Sequence, residues 1–309
     1  MKTTKNKHIL ISGATGLIGK ALTKSLINEG YNVMVLTRFP KVVDNEFPEK
    51  VNYIEWNVIF TTWLVREVEK SFAVINLAGE GIADKRWGRK RRLTLIKSRL
   101  SSARALAKAC HYAKKKPEVF IQASAIGYYP FSSSEVFNED SPAGDSFLSN
   151  LAVDWEAVAK NDVPKEIRLV IIRTGIVLSK HGGFLPKLVR PIKLLAGGWF
   201  GNGQQVMSWI HIQDEVNAIM FLMENSKAKG PFNLIAPNPI SQKELVRKIA
   251  IRLKRPAWIS IPSFITKAIY GQMGKELMLA SQNVEPKKLI DNGFSFSFPT
   301  IDSAIENLL

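Results

Sequence analysis

The chain has 309 residues, 46% of them apolar, and a formal net charge of +16. That composition excludes a disordered or fibrous chain and predicts one large domain, or a domain with a smaller lobe, around a sizeable core. A single cysteine, Cys110, excludes an internal disulfide and points to a reducing compartment. No apolar run reaches the roughly 18 residues of a membrane helix, so a soluble, cytoplasmic protein that avoids membranes is expected.

The basic start, Met1-Lys2-Thr3-Thr4-Lys5-Asn6-Lys7, precedes an apolar run that breaks at Ser12-Gly13, so it reads as a first strand rather than a signal peptide. After that strand, over residues 8–11, comes Gly13-Ala14-Thr15-Gly16-Leu17-Ile18-Gly19. Leu17, Ile18, Ala21, Leu22, Ser25 and Leu26 then recur at helical spacing up to Gly30, and a second apolar run over residues 33–36 closes a strand–helix–strand unit. Glycines at such a turn let the backbone bend sharply and approach a pyrophosphate, and the helix presents free N–H groups and its positive end to that phosphate. The context makes this a dinucleotide site; the other reading is a tight strand–helix turn without a ligand.

The end of the second strand selects the dinucleotide. NAD sites place an acid there for the ribose 2′-hydroxyl; NADP sites place an arginine for the 2′-phosphate. Here Thr37-Arg38 follows, with no acid until Asp44, so NADP(H) is favoured over NAD. Further strands are predicted over residues 51–54, 73–77, 119–123 and 169–172, with helices over 17–29, 89–113 and 147–160. This alternation predicts an α/β fold: a Rossmann-like, doubly wound parallel sheet whose ligands sit at the carboxyl ends of the strands. Those ends supply the candidates Thr37 and Arg38, Leu77-Ala78-Gly79-Glu80, Ser124 to Tyr129, and Arg173 onward. Residues 1–181 are expected to form the cofactor-binding domain, its sheet completed by a later strand near 232–235. Residues 182–309, divided by nine prolines, are expected to form a small, mostly helical substrate-side lobe.

Thirteen lysines and arginines between Lys85 and Lys116 occur with no acid among them. Such a field attracts polyanions, but Leu93, Ile96, Leu100, Ala103 and Leu106 give the helix an ordinary core side. A solvated helix face is therefore favoured over a nucleic-acid interface. The histidines His8, His111, His181 and His211 are scattered and lack a cysteine cluster, so no metal site is expected. The turn at 13–19 lacks the lysine and hydroxyl of a nucleoside-triphosphate loop, and Ser124 has no hydrolase elbow.

Several motifs carry a family resemblance. They are Ile75-Asn76-Leu77-Ala78-Gly79-Glu80, Arg86-Trp87 with Ser98-Arg99, Ser124-Ala125-Ile126-Gly127-Tyr128-Tyr129, Asp154-Trp155-Glu156, Ile172-Arg173-Thr174-Gly175 and Ser208-Trp209-Ile210-His211. Leu279-Ala280-Ser281-Gln282 and Gly293-Phe294-Ser295-Phe296 complete them. In these the chain resembles the extended short-chain dehydrogenase/reductases, and within them the epimerase family proteins with a characteristic C-terminal domain. The resemblance implies an NADP(H)-binding domain contacted through the glycine turn, Arg38 and the segment from Leu77 to Glu80, with substrate held against the C-terminal lobe. Two positions depart from it: Asn57 stands where an acid near the adenine is expected, and Pro130 where a glycine is expected.

Active members of that superfamily pair Ser with Tyr-x-x-x-Lys on one helix; the lysine lowers the tyrosine pKa for proton exchange with a substrate oxygen. Ser124 fits the serine. If Glu156 is set against the acid that follows the lysine, Leu148 and Ala152 occupy the tyrosine and lysine positions, and neither transfers a proton. The substitutes are Tyr128, Glu80 as a buried acid of raised pKa, and His211; each has a structural alternative, in core packing, a ribose bond and a helix anchor. Gly197 to Gln205 reads as a flap over substrate or as an exposed turn. The expected function is an NADP-dependent oxidoreductase or epimerase-like enzyme on a small carbonyl or hydroxyl compound or a nucleotide-linked one, the positive charge hinting at a phosphorylated substrate. The alternative is a non-catalytic NADPH-binding sensor or partner-binding module.

Overall fold

A computed structural model describes residues 7–47 and 51–309, without the side chains of Val42, Asp44 and Asn45; most of the basic N-terminal segment lies outside it. Along the chain run β1 (His8–Ser12), α1 (Leu17–Asn28), β2 (Asn32–Thr37), α2 (Pro40–Glu46), β3 (Asn52–Glu55), α3 (Thr62–Lys70), β4 (Ala73–Asn76), α4 (Arg89–Tyr112) and β5 (Val119–Ala125). A short 3₁₀ turn (Ile126–Tyr128) precedes β6 (Ser132–Phe137), α5 (Phe147–Asp162), β7 (Arg168–Thr174), β8 (Ile176–Leu178), α6 (Phe184–Lys193), β9 (Gly197–Phe200), β10 (Val206–Met207) and β11 (Trp209–His211). The chain ends with α7 (Ile212–Glu224), β12 (Gly230–Leu234), β13 (Ile240–Ser241), α8 (Gln242–Leu253), β14 (Ala257–Ile261), α9 (Ser263–Tyr270), a π-turn (Gly274–Met278), β15 (Gln282–Val284), α10 (Lys287–Asp291) and α11 (Ile301–Leu308).

Seven strands form one parallel sheet in the order β12-β7-β5-β4-β1-β2-β3. Its inner strands are apolar on both faces because helices cover both: Ile9, Leu10, Ile11, Val74 and Ile75 are fully buried. The core divides accordingly, with Ile9, Leu22, Ile75 and Ile219 on one side and Leu10, Leu64, Leu106 and Phe120 on the other. The strand expected near 232–235 is β12, which joins β7 with Phe232 opposite Ile172. A second core, around Trp199, Trp209, Leu245 and Ile305, builds a lobe from α6, α8, α11 and their neighbours. The lobe is mostly helical, as expected, with short two-stranded pieces beside the helices. Gly197 to Phe200, the first half of the expected flap, is β9, paired in parallel with β14. The adjoining Gln205 side chain bonds the Phe200 and Met278 carbonyls and Gln242, which fixes the loop to its surroundings.

Sheet order reverses between β1 and β4, where the chain leaves β1 toward β2 on one side and reaches β4 on the other. That crevice, at the strands' carboxyl ends, is the place such a sheet offers a ligand.

Candidate functional site

The glycine turn lies at this crevice, and its geometry requires glycine. Gly13 has φ +80°, and a Cβ there would stand 2.6 Å from the Leu77 carbonyl carbon. A Cβ at Gly19 would overlap the Gly13 carbonyl oxygen. The turn that leaves β1 is thus locked against the residue that leaves β4, which only a bare backbone permits. Gly16 is the N-cap of α1 and supplies no side-chain cap, and the first turn of α1 holds no acid. Those N–H groups are left for an outside acceptor, the arrangement that suits a phosphate. Thr15, Leu17 and Ile18 stand around the turn, and Gly183 lies so close to Leu17 that a Cβ there would be 2.9 Å from Leu17 Cδ2.

A buried polar ladder supports the crevice from beneath. Ser12 Oγ donates to Asn76 Oδ1 at 2.6 Å, and Asn76 Nδ2 donates to Gln122 Oε1 at 3.0 Å. The Ala78 N–H also donates to Asn76 Oδ1, so the amide aims the residues after β4. Above it, α4 fixes the next segment: Ser98 Oγ accepts from the Glu80 N–H and Arg99 Nη2 donates to the Glu80 carbonyl, each at 3.1 Å. Gly79 packs on Arg99.

Arg38, exposed at the end of β2, donates to Glu80 Oε1 at 3.3 Å, and Arg91 donates to Glu80 Oε2 at 3.2 Å. The expectation that Glu80 is an acid of raised pKa is overturned. Burial pushes its carboxyl up, but the hydrogen bonds and charges of Arg38 and Arg91 outweigh burial and hold it below the ordinary carboxylate value. Thr37 is buried and accepts the Phe39 N–H, while Asn57 is exposed beyond β3.

The second cluster lies at the ends of β5 and β7. Ser124 Oγ donates to Glu156 Oε1 at 2.8 Å. Arg173 grips the same carboxylate through Nε at 2.8 Å and Nη2 at 3.0 Å, and its Nη1 donates to the Tyr129 hydroxyl and the Glu139 carbonyl. Tyr129 in turn donates to Asn233 Oδ1. Glu156 and Arg173 are 1% and 2% exposed, so this is a fully desolvated ion pair. Burial raises the Glu156 carboxyl, yet Arg173 and then Lys160 outweigh it and keep the group ionised.

Two expected site residues have buried protein partners here. The Arg173 guanidinium, expected as a cofactor contact, is committed to Glu156, Tyr129 and the Glu139 carbonyl in the protein interior. The single proton of Ser124 goes to Glu156, so in this arrangement its oxygen faces any other group as an acceptor. Tyr128 is half-buried, with the Arg173 guanidinium 3.5 Å from its ring centroid and Tyr129 edge-on; its hydroxyl makes no hydrogen bond among the described residues. Leu148 and Ala152 are both apolar here: Leu148 packs on Gly127, and Ala152 is buried. His211 is corrected as well. It is the N-cap of α7, with Nδ1 accepting the Gln213 N–H at 3.0 Å and the ring stacked on Phe298. Burial lowers its pKa.

Sequence reasoning missed Asn76, Gln122 and Arg91 as site-building residues, and the pairing of Glu156 with Arg173. Among the described residues no group of three or more His, Cys, Asp and Glu is placed to hold a metal, and no helix is long and apolar enough to cross a membrane.

Fold and site together define a Rossmann-like short-chain dehydrogenase/reductase of the extended type. A model of the NAD dependent epimerase/dehydratase family matches residues 9–234, and a domain of unknown function, DUF1731, matches residues 261–308. The chain belongs to that epimerase/dehydratase family. It is 34% identical over 303 residues to the epimerase family protein YfhF of Bacillus subtilis, covering 98% of each chain. It is 33% identical over 307 residues to the epimerase family protein SDR39U1 of Bos taurus, covering 98% of this chain and 99% of the other. The crystal structure of human SDR39U1 (isoform 2) with NADPH superimposes with a TM-score of 0.85 at 31% identity, covering 97% and 98% of the two chains.

Proposed function

We propose that the crevice between β1 and β4 binds NADPH, and that the protein uses it in redox chemistry on a small carbonyl or hydroxyl compound. The observation that carries the reading is the glycine turn locked against Leu77, with an uncapped helix N-terminus on one side and Arg38 on the other. The solved NADPH complex of a relative supports the same choice. The residues present fit the group: the α1 N–H groups for the pyrophosphate, Arg38 for the 2′-phosphate, and the segment from Leu77 to Glu80 for the ribose. When bound, the nicotinamide supplies hydride chemistry.

The protein's own part is to hold the reacting oxygen and move its proton. Ser124 offers an acceptor to a substrate hydroxyl. Of the two phenols that follow β5, Tyr129 is committed and Tyr128 has its hydroxyl uncommitted among the described residues; Tyr128 gives or takes the proton. The Arg173 guanidinium, carried by β7, lies 3.5 Å from its ring centroid and fixes the ring in place. Leu148 and Ala152 keep that side of α5 apolar and dry. A phosphorylated or nucleotide-linked substrate fits the surplus of positive charge near α4. A nucleoside-diphosphate sugar epimerase of Corynebacterium glutamicum superimposes at a TM-score of 0.75 and 27% identity, over 98% of this chain and 58% of that one.

The test is a fluorescence titration with NADPH, followed by NADPH oxidation against a panel of carbonyl compounds and nucleotide sugars. Substrate-dependent oxidation that falls about a hundredfold in Tyr128→Phe, with NADPH affinity kept, supports the reading. Full turnover in Tyr128→Phe refutes the phenol's role. The packing of Leu148 on Gly127 favours a second reading, a non-catalytic NADPH-binding module. Tight NADPH binding with no oxidation across the panel favours it over the first.

A further inference from the structure

Arg38 and Glu80 leave the sheet at the carboxyl ends of β2 and β4, the two strands that flank β1, and meet at 3.3 Å. They are the two opposite answers to one chemical question. A carboxylate accepts from a ribose 2′-hydroxyl and repels a 2′-phosphate; a guanidinium grips the phosphate and gains little from the hydroxyl. Here both stand at one corner, in contact.

The surroundings make this more than a surface pair. The backbone of residue 80 is pinned at both its N–H and its carbonyl by Ser98 and Arg99, so the carboxylate can change partners only by side-chain rotation. Its second oxygen is held by Arg91, whose side chain is 13% exposed, against 53% for Arg38. Arg38 is therefore the mobile partner and Arg91 the anchored one. If Arg38 turns to a phosphate, Arg91 still neutralises Glu80, so the carboxylate is not left facing another anion unpaired.

We propose that Glu80 is the residue that sets nucleotide selectivity at this site: it accepts the ribose 2′-hydroxyl of an unphosphorylated dinucleotide and competes with a 2′-phosphate for Arg38, so that the site takes both NADH and NADPH. The inference rests on the dinucleotide reading above. Arg38 alone implies a site for NADPH; Arg38 restrained by an anchored carboxylate implies two ligands, with Glu80 deciding the ratio between them.

The experiment is a titration of the full-length protein, Glu80→Gln and Arg38→Ala with NADPH and NADH at fixed salt, followed by nicotinamide fluorescence. Competition by 2′-AMP and 5′-AMP isolates the adenosine corner. In Glu80→Gln, NADH affinity is expected to fall about tenfold while NADPH affinity holds or rises, because a charged acceptor is lost and Arg38 is released. In Arg38→Ala, NADPH affinity is expected to fall about tenfold or more while NADH affinity holds or rises. The 2′-AMP and 5′-AMP affinities move in the same senses.

A Glu80→Gln protein that shifts both nucleotides equally, or neither, overturns the inference, as does wild-type protein that binds NADPH but not NADH. Wild-type protein that binds neither nucleotide overturns the dinucleotide reading itself. Should Glu80→Gln fail to fold, Arg38→Ala alone decides: an equal loss of both nucleotides refutes the opposed roles.

Discussion

Glu215 gives the sharpest quantitative test of how this interior is built. It lies in the first turn of α7, fully buried. One carboxyl oxygen accepts from Thr174 Oγ1 at 2.7 Å, at the end of β7, and the other has no partner among the described residues. Burial drives its pKa from 4.5 to about 8, opposed only by the Thr174 hydrogen bond. At neutral pH the group is therefore a neutral acid in the folded protein and a carboxylate in the unfolded chain.

The sign follows from proton binding. Between pH 4.5 and about 8 the folded state holds a proton that the unfolded state has lost, so stability falls as pH rises through that window and then levels off. Roughly 3.5 pH units at about 1.4 kcal/mol each give a loss of ~5 kcal/mol as an upper bound. Glu215→Gln keeps the shape and an acceptor for Thr174 but does not titrate. Thermal melts of both proteins from about pH 5 to about pH 9 should diverge. The variant should match or fall below the parent at the acid end, and exceed it at the alkaline end by several degrees, on the scale of roughly 2 °C per kcal/mol for a chain of this size. Parallel melting curves across the range would refute a protonated buried Glu215.

Four further outcomes follow from the same packing. Glu156→Gln leaves Arg173 charged and buried without its partner and should cost about 3–5 kcal/mol in denaturant unfolding. Because the Glu156 carboxyl is held below its ordinary value of 4.5, its contribution is present above that pH and is lost as pH falls through the folded pKa; acid titration of the parent should show the loss and the variant should not. Gly19→Ala forces its Cβ into the Gly13 carbonyl; NADPH titration should show binding abolished. His211→Ala removes the N-cap acceptor of α7 and should cost about 1 kcal/mol in denaturant unfolding, with His211→Asn recovering most of it; a turnover loss beyond that instability would restore a chemical role for the imidazole.

The fold is legible in the sequence because its signals are local. The apolar run before Gly13, the helical spacing of Ile18, Leu22 and Leu26 in α1, and the alternation through β5 are properties of short windows. The place of the crevice follows from topology, and Gly13 and Gly19 show the close approach that glycine spacing implies. What fails at the site depends on partners distant in sequence. Whether Glu80 is raised or lowered depends on Arg38 and Arg91. Whether Ser124 donates outward depends on Glu156, 32 residues away. Arg173 stands at the expected strand end, but a strand end does not say which face the guanidinium takes, and here it is drawn inward by a carboxylate on α5. His211 follows the same pattern: a histidine before Gln213 can cap a helix as readily as titrate.

The basic run on α4 resolves by the same reasoning. Read as charge alone, it suits a polyanion. Three of its arginines are instead fixed by internal partners. Arg91 bridges to Glu80 and the Gly81 carbonyl. Arg92 donates to Gln272, which donates to Glu276, whose carboxylate accepts the Phe147 and Leu148 N–H groups at the start of α5. Arg99 lies over the Trp155 ring and donates to the Leu95 and Glu80 carbonyls. Burial and then the neighbouring Arg91 charge push the Arg99 guanidinium down to about 10, so it remains charged at neutral pH. These arginines tie the segment after β4, the start of α5 and the C-terminal region to one helix. Guanidinium suits the task because its several donors reach more than one carbonyl or carboxylate at once, which an ammonium on a flexible stem holds less firmly. The positive charge that first suggests an external partner is, at these positions, the means by which α4 sets the geometry of the crevice. A nucleotide entering there meets a surface whose cations are already placed.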